Sequence, residues 1–289
     1  MNDKCLFVSD LHGKIKRYEK FFKVIEKEKP FAVFMGGDLL PSSVLHRFRA
    51  GENKCDFVRD FLVSNFANLK KQMDEHYPAV FIIMGNDDPR IAEEIFLEYN
   101  QEGLWNYIQG KVVDLGPYKV LGYSYVPPTP FLLKDWEKYD MVRDEVKQGS
   151  INPSDGFKTF NVEHENLSDT IREDLNTLTQ SYDDMDNMIC LFHSPPYKTL
   201  LDRAALDDVK TTQGNIDVNV GSIAIKNFIQ ERQPYLCLHG HIHESSRITG
   251  KWRDKINRTR LISAAYEGTE LAVISFYLSD LDSAERFVI

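Results

Sequence analysis

Cysteine is scarce in this chain and long apolar runs are missing. The four cysteines, Cys5, Cys55, Cys190 and Cys237, show none of the spacings of zinc or redox motifs. Cys5, Cys190 and Cys237 each sit in an apolar stretch, where a free thiol behaves as a small hydrophobe. A disulfide framework is therefore not expected. Met1 to Lys4 is polar and no extended hydrophobic run follows, so neither a secretory leader nor a membrane span is read. The expectation is a reduced, soluble, cytoplasmic protein. Positive charge is also in deficit, with 35 Lys and Arg against 44 Asp and Glu, a formal net charge of -9. That balance argues against nucleic acid as a partner, because sequence-independent binding relies on many cationic contacts to phosphate. Internal repeats and low-complexity segments are absent as well. What is present is 289 residues with 42% hydrophobic content, enough for a sizeable core.

Apolar runs alternate with amphipathic ones. Cys5 to Val8 reads as a buried strand, and Tyr18, Phe22 and Ile25 then recur at helical spacing until Pro30. The pattern repeats with a strand at Phe31 to Met35 and a helix carrying Val58, Phe61, Leu62, Phe66, Leu69 and Met73. A strand at Ala79 to Met84 and a helix beginning near Arg90 follow. After a break come strands at Met188 to Phe192 and Leu236 to His239, separated by a helix from about Ser222 to Glu231. Further strands are read at Leu261 to Ala264 and Leu271 to Tyr277. Such alternation indicates an α/β fold with parallel pairing, which places ligands beyond the carboxyl ends of the strands. One domain over residues 1–289 is expected. A polar insertion at about 127–187, with weak helical patterns at Trp136 to Val146 and Leu167 to Leu178, is either a solvated loop or a cap over the site.

Polar residues gather where those strands end. The strand to His239 runs into Gly240-His241-Ile242-His243, and in extended geometry His241 and His243 project to one side while Ile242 points to the other. The other strand ends carry Asp10 and His12, Asp38, Asn86, and His193. Carboxylates, imidazoles and one amide carbonyl form a nitrogen and oxygen set suited to Mn, Zn or Fe. Seven ligands are too many for one ion that keeps an open position. They suit two ions with one carboxylate between them.

The order D-x-H, G-D, G-N, H and G-H-x-H from Asp10 to His243 resembles the calcineurin-like metallophosphoesterase superfamily. That resemblance implies a four-layer α-β-β-α sandwich carrying two divalent metal ions (Mn, Zn or Fe). It implies one ion held by Asp10, His12, Asp38 and His243 and another by Asp38, Asn86, His193 and His241, with Asp38 bridging. His239 matches no ligand of the pattern and reads as a strand-end residue. Two such ions about 3.5–4 Å apart lower the pKa of a shared water and clamp the oxygens of an in-line displacement, so no nucleophilic side chain is required.

One position departs from the family. Many members have histidine after G-N, where this chain has Asp87; Asp88 matches the acid that follows. Asp38, Asp87 and Asp88 are the candidate catalytic residues. A carboxylate beside the phosphate repels a dianionic monoester more than a monoanionic diester, which points to a phosphodiesterase acting on a small-molecule ester. The competing readings are a non-catalytic binding protein that keeps the fold, and a nuclease. An intact ligand set favours an enzyme, and the acidic chain lacks the basic face a nuclease needs. His46, His76 and His164 read as surface residues. Lys14 and Arg90 follow metal-binding blocks and read as exposed charges that could meet a phosphate.

Overall fold

The computed structural model describes residues 3–42, 56–160, 170–207, 209–211 and 214–289. The chain begins with β1 (Lys4–Val8), α1 (Ile15–Glu28) and β2 (Ala32–Gly36). Helix α1 buries Tyr18, Phe21, Phe22 and Ile25 and stops where Lys29 turns left-handed ahead of Pro30. Next come α2 (Ser64–Met73), β3 (Ala79–Ile83) and α3 (Glu93–Gln101). Three strands follow, β4 (Asn106–Tyr107), β5 (Lys111–Leu115) and β6 (Tyr118–Tyr123). The second half holds α4 (Ile171–Thr179), β7 (Met188–Phe192) and a hairpin of β8 (Lys210–Thr211) and β9 (Gly214–Asn215). It continues through α5 (Ile223–Arg232), β10 (Leu236–His239) and α6 (Ser245–Thr249). Strands β11 (Arg253–Ile256), β12 (Thr259–Ser263), β13 (Ala272–Tyr277) and β14 (Asp280–Val288) complete it.

Two six-stranded sheets result, in the orders β14-β13-β1-β2-β3-β4 and β11-β12-β10-β7-β6-β5. Strands β1 to β4 are mutually parallel, as are β6, β7, β10 and β12; the antiparallel pairs lie toward the sheet edges. Alternation along each strand divides the side chains between two cores. Cys5, Phe7, Phe34 and Phe81 of one sheet pack with Ile189, Leu191, Leu236 and Leu238 of the other. Leu6, Val8, Val33 and Met35, with Cys190, Phe192 and Cys237, face the opposite way and pack with helical residues such as Phe21 and Ile225. This is the expected α/β sandwich of two sheets flanked by helices. Because both sheets have parallel centres, the carboxyl ends of β1, β2, β3, β7 and β10 can share one rim. Cys5, Cys190 and Cys237 are free and buried, and no helix among the described residues is long and apolar enough to cross a membrane.

The insertion departs from its sequence reading in one of its two helical patterns. Trp136 to Val146 forms no helix; polar side chains at its start are buried individually against fixed partners. Lys134 and Glu137 form an ion pair of 2.6 Å with neither side chain exposed, and Trp136 is fully buried. The second pattern does become a helix, α4, although Leu167 lies outside the described residues. Asp140 ties the insertion to the body by capping α5, accepting from Ser222 Oγ at 2.5 Å, Ile223 N at 2.6 Å and Ala224 N at 3.1 Å. Replacing a buried acceptor leaves three donors without a partner. Asp140→Ala is expected to lower stability by about 2–3 kcal/mol, read as a lower urea midpoint with an unchanged m value.

Candidate metal centre

Each of the seven residues lies within a few residues of the carboxyl end of a strand. The first sheet delivers Asp10 and His12 after β1, Asp38 after β2 and Asn86 after β3; the second delivers His193 after β7, then His241 and His243 after β10. Asp10, Asp38, Asn86 and His193 are buried. The ligand atoms form two groups, Asp10, His12, Asp38 and His243 in one and Asp38, His193 and His241 in the other, each with all atoms within 4.8 Å of one another. Asn86 joins the second group, its Oδ1 lying 3.1 Å from His193 Nε2. Asp38 belongs to both.

Backbone conformation turns these side chains inward. Asp10, His12, Asp38 and His241 all have positive φ, at 58°, 48°, 52° and 74°. Each such residue costs roughly 1–3 kcal/mol, so the surrounding structure must hold them. Asp10 N donates to Gly37 O at 3.0 Å and His12 N to Asp38 O at 2.8 Å, stitching the first two loops together. Gly240 lets β10 approach β1, since a Cβ there would stand 2.0 Å from Ser9 Oγ. His241 N then donates to Asp10 Oδ1 at 3.0 Å, joining the two sheets.

The left-handed turn at His241 corrects one expectation. The strand ends at His239, so the G-H-x-H stretch is not extended and its two rings do not share a side. His241 lies with His193, their ring centroids 5.1 Å apart, whereas His243 meets His12, with Nε2 atoms 3.2 Å apart.

The donor set fits divalent cations. His193 Nδ1 donates to Gly36 O at 2.7 Å, which leaves the lone pair of its other nitrogen facing Asn86 Oδ1 and, at 3.4 Å, Asp38 Oδ2. Three acceptors converge there and require a proton or a cation between them. His12 is oriented in the same way: Nδ1 lies 3.1 Å from Asp87 Oδ2, and Nε2 faces His243 Nε2. His243 Nε2 is in turn 3.2 Å from Asp10 Oδ1. Bonds of about 2.0–2.1 Å arranged tetrahedrally place donors about 3.3 Å apart, so these separations match a first-row ion. Imidazoles held by a carbonyl or carboxylate on the far nitrogen are the usual supporting arrangement for metal ligands.

The site's own electrostatics agree. Burial pulls the His12 imidazole down, but Asp87, Asp38 and Asp10 outweigh it and push the group up to about 9. For His193 burial is likewise overcome, chiefly by Asp38, again to about 9. Burial raises Asp38, yet His193 and His12 hold its carboxyl well below the usual range. His241 is pushed down to about 3 by burial and by neighbouring His193. The anionic cluster thus retains positive charge on its own imidazoles, the charge that a bound ion would replace.

The remaining candidates separate clearly. Asp87 is half-buried at the mouth, bonded to His12 and to the Ser42 hydroxyl, while its backbone N–H donates to Asp38 Oδ1 at 2.8 Å. Asp88 is completely buried and accepts from the backbone N–H of Leu40, Gly85 and Leu39 at 2.7, 2.9 and 3.1 Å. It clasps the Asp38 loop to the Asn86 loop; burial and Asp38 push it up to about 7. His239 joins neither group: it donates from Nδ1 to Ser194 O at 3.0 Å, and burial pushes it down to about 3. His76 is exposed, while His46 and His164 lie outside the described residues. Lys14 stays largely exposed. Arg90 is not an exposed charge, because its guanidinium lies over the rings of Trp136 and Phe160 at 4.9 and 4.3 Å and bonds Glu93 and Tyr125.

Sequence reasoning does not single out Arg17. It donates from Nη1 to Asp10 O at 2.8 Å and from Nη2 to Gly268 O at 2.5 Å, anchoring the first ligand loop to the loop after β12. The available signal is a cation one turn before Phe21 on the apolar face of α1, a place where a charge needs fixed partners.

Comparison with known proteins agrees with this geometry. Over 106 residues the chain is 31% identical to the uncharacterized protein MJ1162 of Methanocaldococcus jannaschii, covering 36% of this chain and 41% of that protein. The chain thus matches less than half the length of that relative. One solved structure matches over 100% of this chain and 99% of its own, with a TM-score of 0.59 at 15% identity. The crystal structure of TT1561 of Thermus thermophilus does so over the same shares, with a TM-score of 0.56 at 14% identity. At such identities the likeness concerns the fold. The profile of the calcineurin-like phosphoesterases matches residues 4–245, a span that contains all seven clustered side chains, and the chain belongs to that family.

Proposed function

We propose that the protein is a phosphodiesterase that holds two divalent ions and acts on a small-molecule ester. The observation that carries this reading is Asp38, the one carboxylate common to both ligand groups. Asp10, His12 and His243 would complete one ion's ligands, and Asn86, His193 and His241 the other's. Bound there, divalent ions supply activation of water and neutralisation of phosphoryl charge. The nitrogen and oxygen donors suit Mn, Zn or Fe.

What the chain's own residues contribute is orientation and charge. Asp87 fixes the His12 ring through Nδ1 and adds a carboxylate at the mouth, where it disfavours a doubly charged ester. Asp88 holds two ligand loops in register without reaching the mouth. The start of the insertion serves as a wall beside the Asn86 loop, since Asp135 Oδ2 accepts from Arg90 N at 2.7 Å and Arg90 in turn lies over Trp136.

Paired substrates test the reading. With metal supplied, kcat/KM for bis(p-nitrophenyl) phosphate should exceed that for p-nitrophenyl phosphate by about tenfold or more, a discrimination of ~1.4 kcal/mol. Asp87→His should narrow the ratio between the two rates. A native preference for the monoester would overturn the diester assignment, and failure to hold any ion would overturn the metal-dependent one.

A further inference from the structure

A cavity of about 540 Å³ opens directly beside His243, within the size range of small-molecule sites. Its walls include Trp252, Tyr266, Glu267, Gly268 and Arg286. It is tied to the metal centre at two points: His243 lines it, and Arg17 bonds both Asp10 O and Gly268 O. The seven ligands and the mechanism above use none of the other lining residues.

The chemistry of the walls is specific. Tyr266 lies flat against the chain because position 268 is glycine; a Cβ there would stand 2.4 Å from Tyr266 Cε1. The Arg286 guanidinium sits over the Tyr266 ring at 5.1 Å from its centroid. It donates from Nη2 to Ala265 O at 3.2 Å, yet among the described residues its buried Nε has no hydrogen-bond partner. Arg247, by contrast, is satisfied by Glu267 at 2.6 Å. A guanidinium both stacks on flat rings and donates to their acceptor edges, here through its terminal nitrogens, since Nε is enclosed. Aromatic walls with such a donor are the chemistry that recognises a heteroaromatic ring.

We propose that this cavity receives one organic substituent of the phosphoester, a flat heteroaromatic group of the nucleobase kind, with Tyr266 and Trp252 as stacking surfaces and Arg286 donating to its acceptor atoms. The proposal rests on the phosphodiesterase reading for the position of the scissile phosphate, and it deepens that reading by naming a substrate class. Arg286 and Tyr266 are specificity residues that touch the substituent and not the reacting atoms.

Two diesters with the same leaving group test it: thymidine 5′-(p-nitrophenyl phosphate) and methyl p-nitrophenyl phosphate, each with the metal-loaded full chain. The native kcat/KM ratio should favour the nucleoside ester by about tenfold or more, one or more multiples of the ~1.4 kcal/mol step. Arg286→Met and Tyr266→Leu should each bring the ratio most of the way to one, and Arg286→Lys should restore part of it. Binding supplies an independent readout. Trp105 and Trp136 are buried while Trp252 is half-buried, so thymidine 5′-(methyl phosphate), a singly charged diester with a poor leaving group, should quench tryptophan fluorescence saturably, and Arg286→Met should abolish the effect. A native ratio near one, a ratio unmoved by the variants, or no saturable quenching would overturn the proposal. If Arg286→Met does not fold, as judged by its melting curve, Tyr266→Leu decides. Hydrolysis of neither ester with saturable, Tyr266-dependent quenching would instead overturn the phosphodiesterase reading and leave the pocket standing.

Discussion

Asp38→Asn is expected to remove nearly all activity and at least one ion. The substitution keeps the side chain's size but deletes the charge that both ligand groups share. It also takes from His193 and His12 the carboxylate lying 3.4 and 3.9 Å from their Nε2 atoms. Two-ion stabilisation of a phosphoryl displacement is worth several kcal/mol, and each ~1.4 kcal/mol is tenfold in rate, so kcat/KM should fall by about 10³ or more. Elemental analysis of the dialysed variant should show at least one equivalent of metal fewer than the native chain. Asp87→Asn is the informative contrast. Asp87 supports His12 from behind, and losing such support typically costs about 10–100-fold. A variant Asp38→Asn that retained the native metal content and native rates would sink the shared-carboxylate reading.

The seven side chains were legible in the sequence because each lies within a few residues of the end of a short apolar run. Parallel strands expose only their ends to a common rim, so Asp10, Asp38, Asn86 and His193 are marked by position as much as by type. What stayed illegible was the direction of each side chain. His241 and His243 look like neighbours on one strand, and only the positive φ at His241, fixed by the contact between Gly240 and Ser9, divides them. Strand β5 is not legible because Lys111–Leu115 is an edge strand whose residues are mostly exposed or half-buried, which blurs the two-residue period. The same holds for β14, whose pairing with β13 shifts register between Ser275 and Tyr277. Around Trp136 the apolar spacing suggested a helix. There the chain is organised instead by buried polar partners, Lys134 with Glu137 and Asp140 with the start of α5, and such long-range satisfaction leaves no local period to read.

Gly85→Ala should disable the site without altering a single ligand. Gly85 does not have positive φ, so alanine brings no intrinsic backbone strain there. The added Cβ would nevertheless stand 2.3 Å from Asp38 Oδ1, 2.4 Å from Asp38 N and 2.6 Å from His193 Cε1. One of those neighbours is backbone, and Asp88 Oδ2 simultaneously holds Gly85 N at 2.9 Å, so the loops must move apart and carry the shared carboxylate with them. Overpacking of this kind costs about 1–3 kcal/mol in stability. The effect on chemistry should be larger, since a displacement of about 1 Å in a positioned group can cost about 10²-fold in rate. Gly110→Ala is the matched control: its φ is +65° and nothing lies within 4 Å of the new Cβ. That substitution should cost about 1–2 kcal/mol through the left-handed backbone and leave kcat/KM and metal content unchanged. Measuring melting temperature, metal content and kcat/KM on both variants therefore separates loss of fold from loss of register. Equal activity in the two would mean that the contact between the Asp38 and Asn86 loops does not set the geometry of the centre.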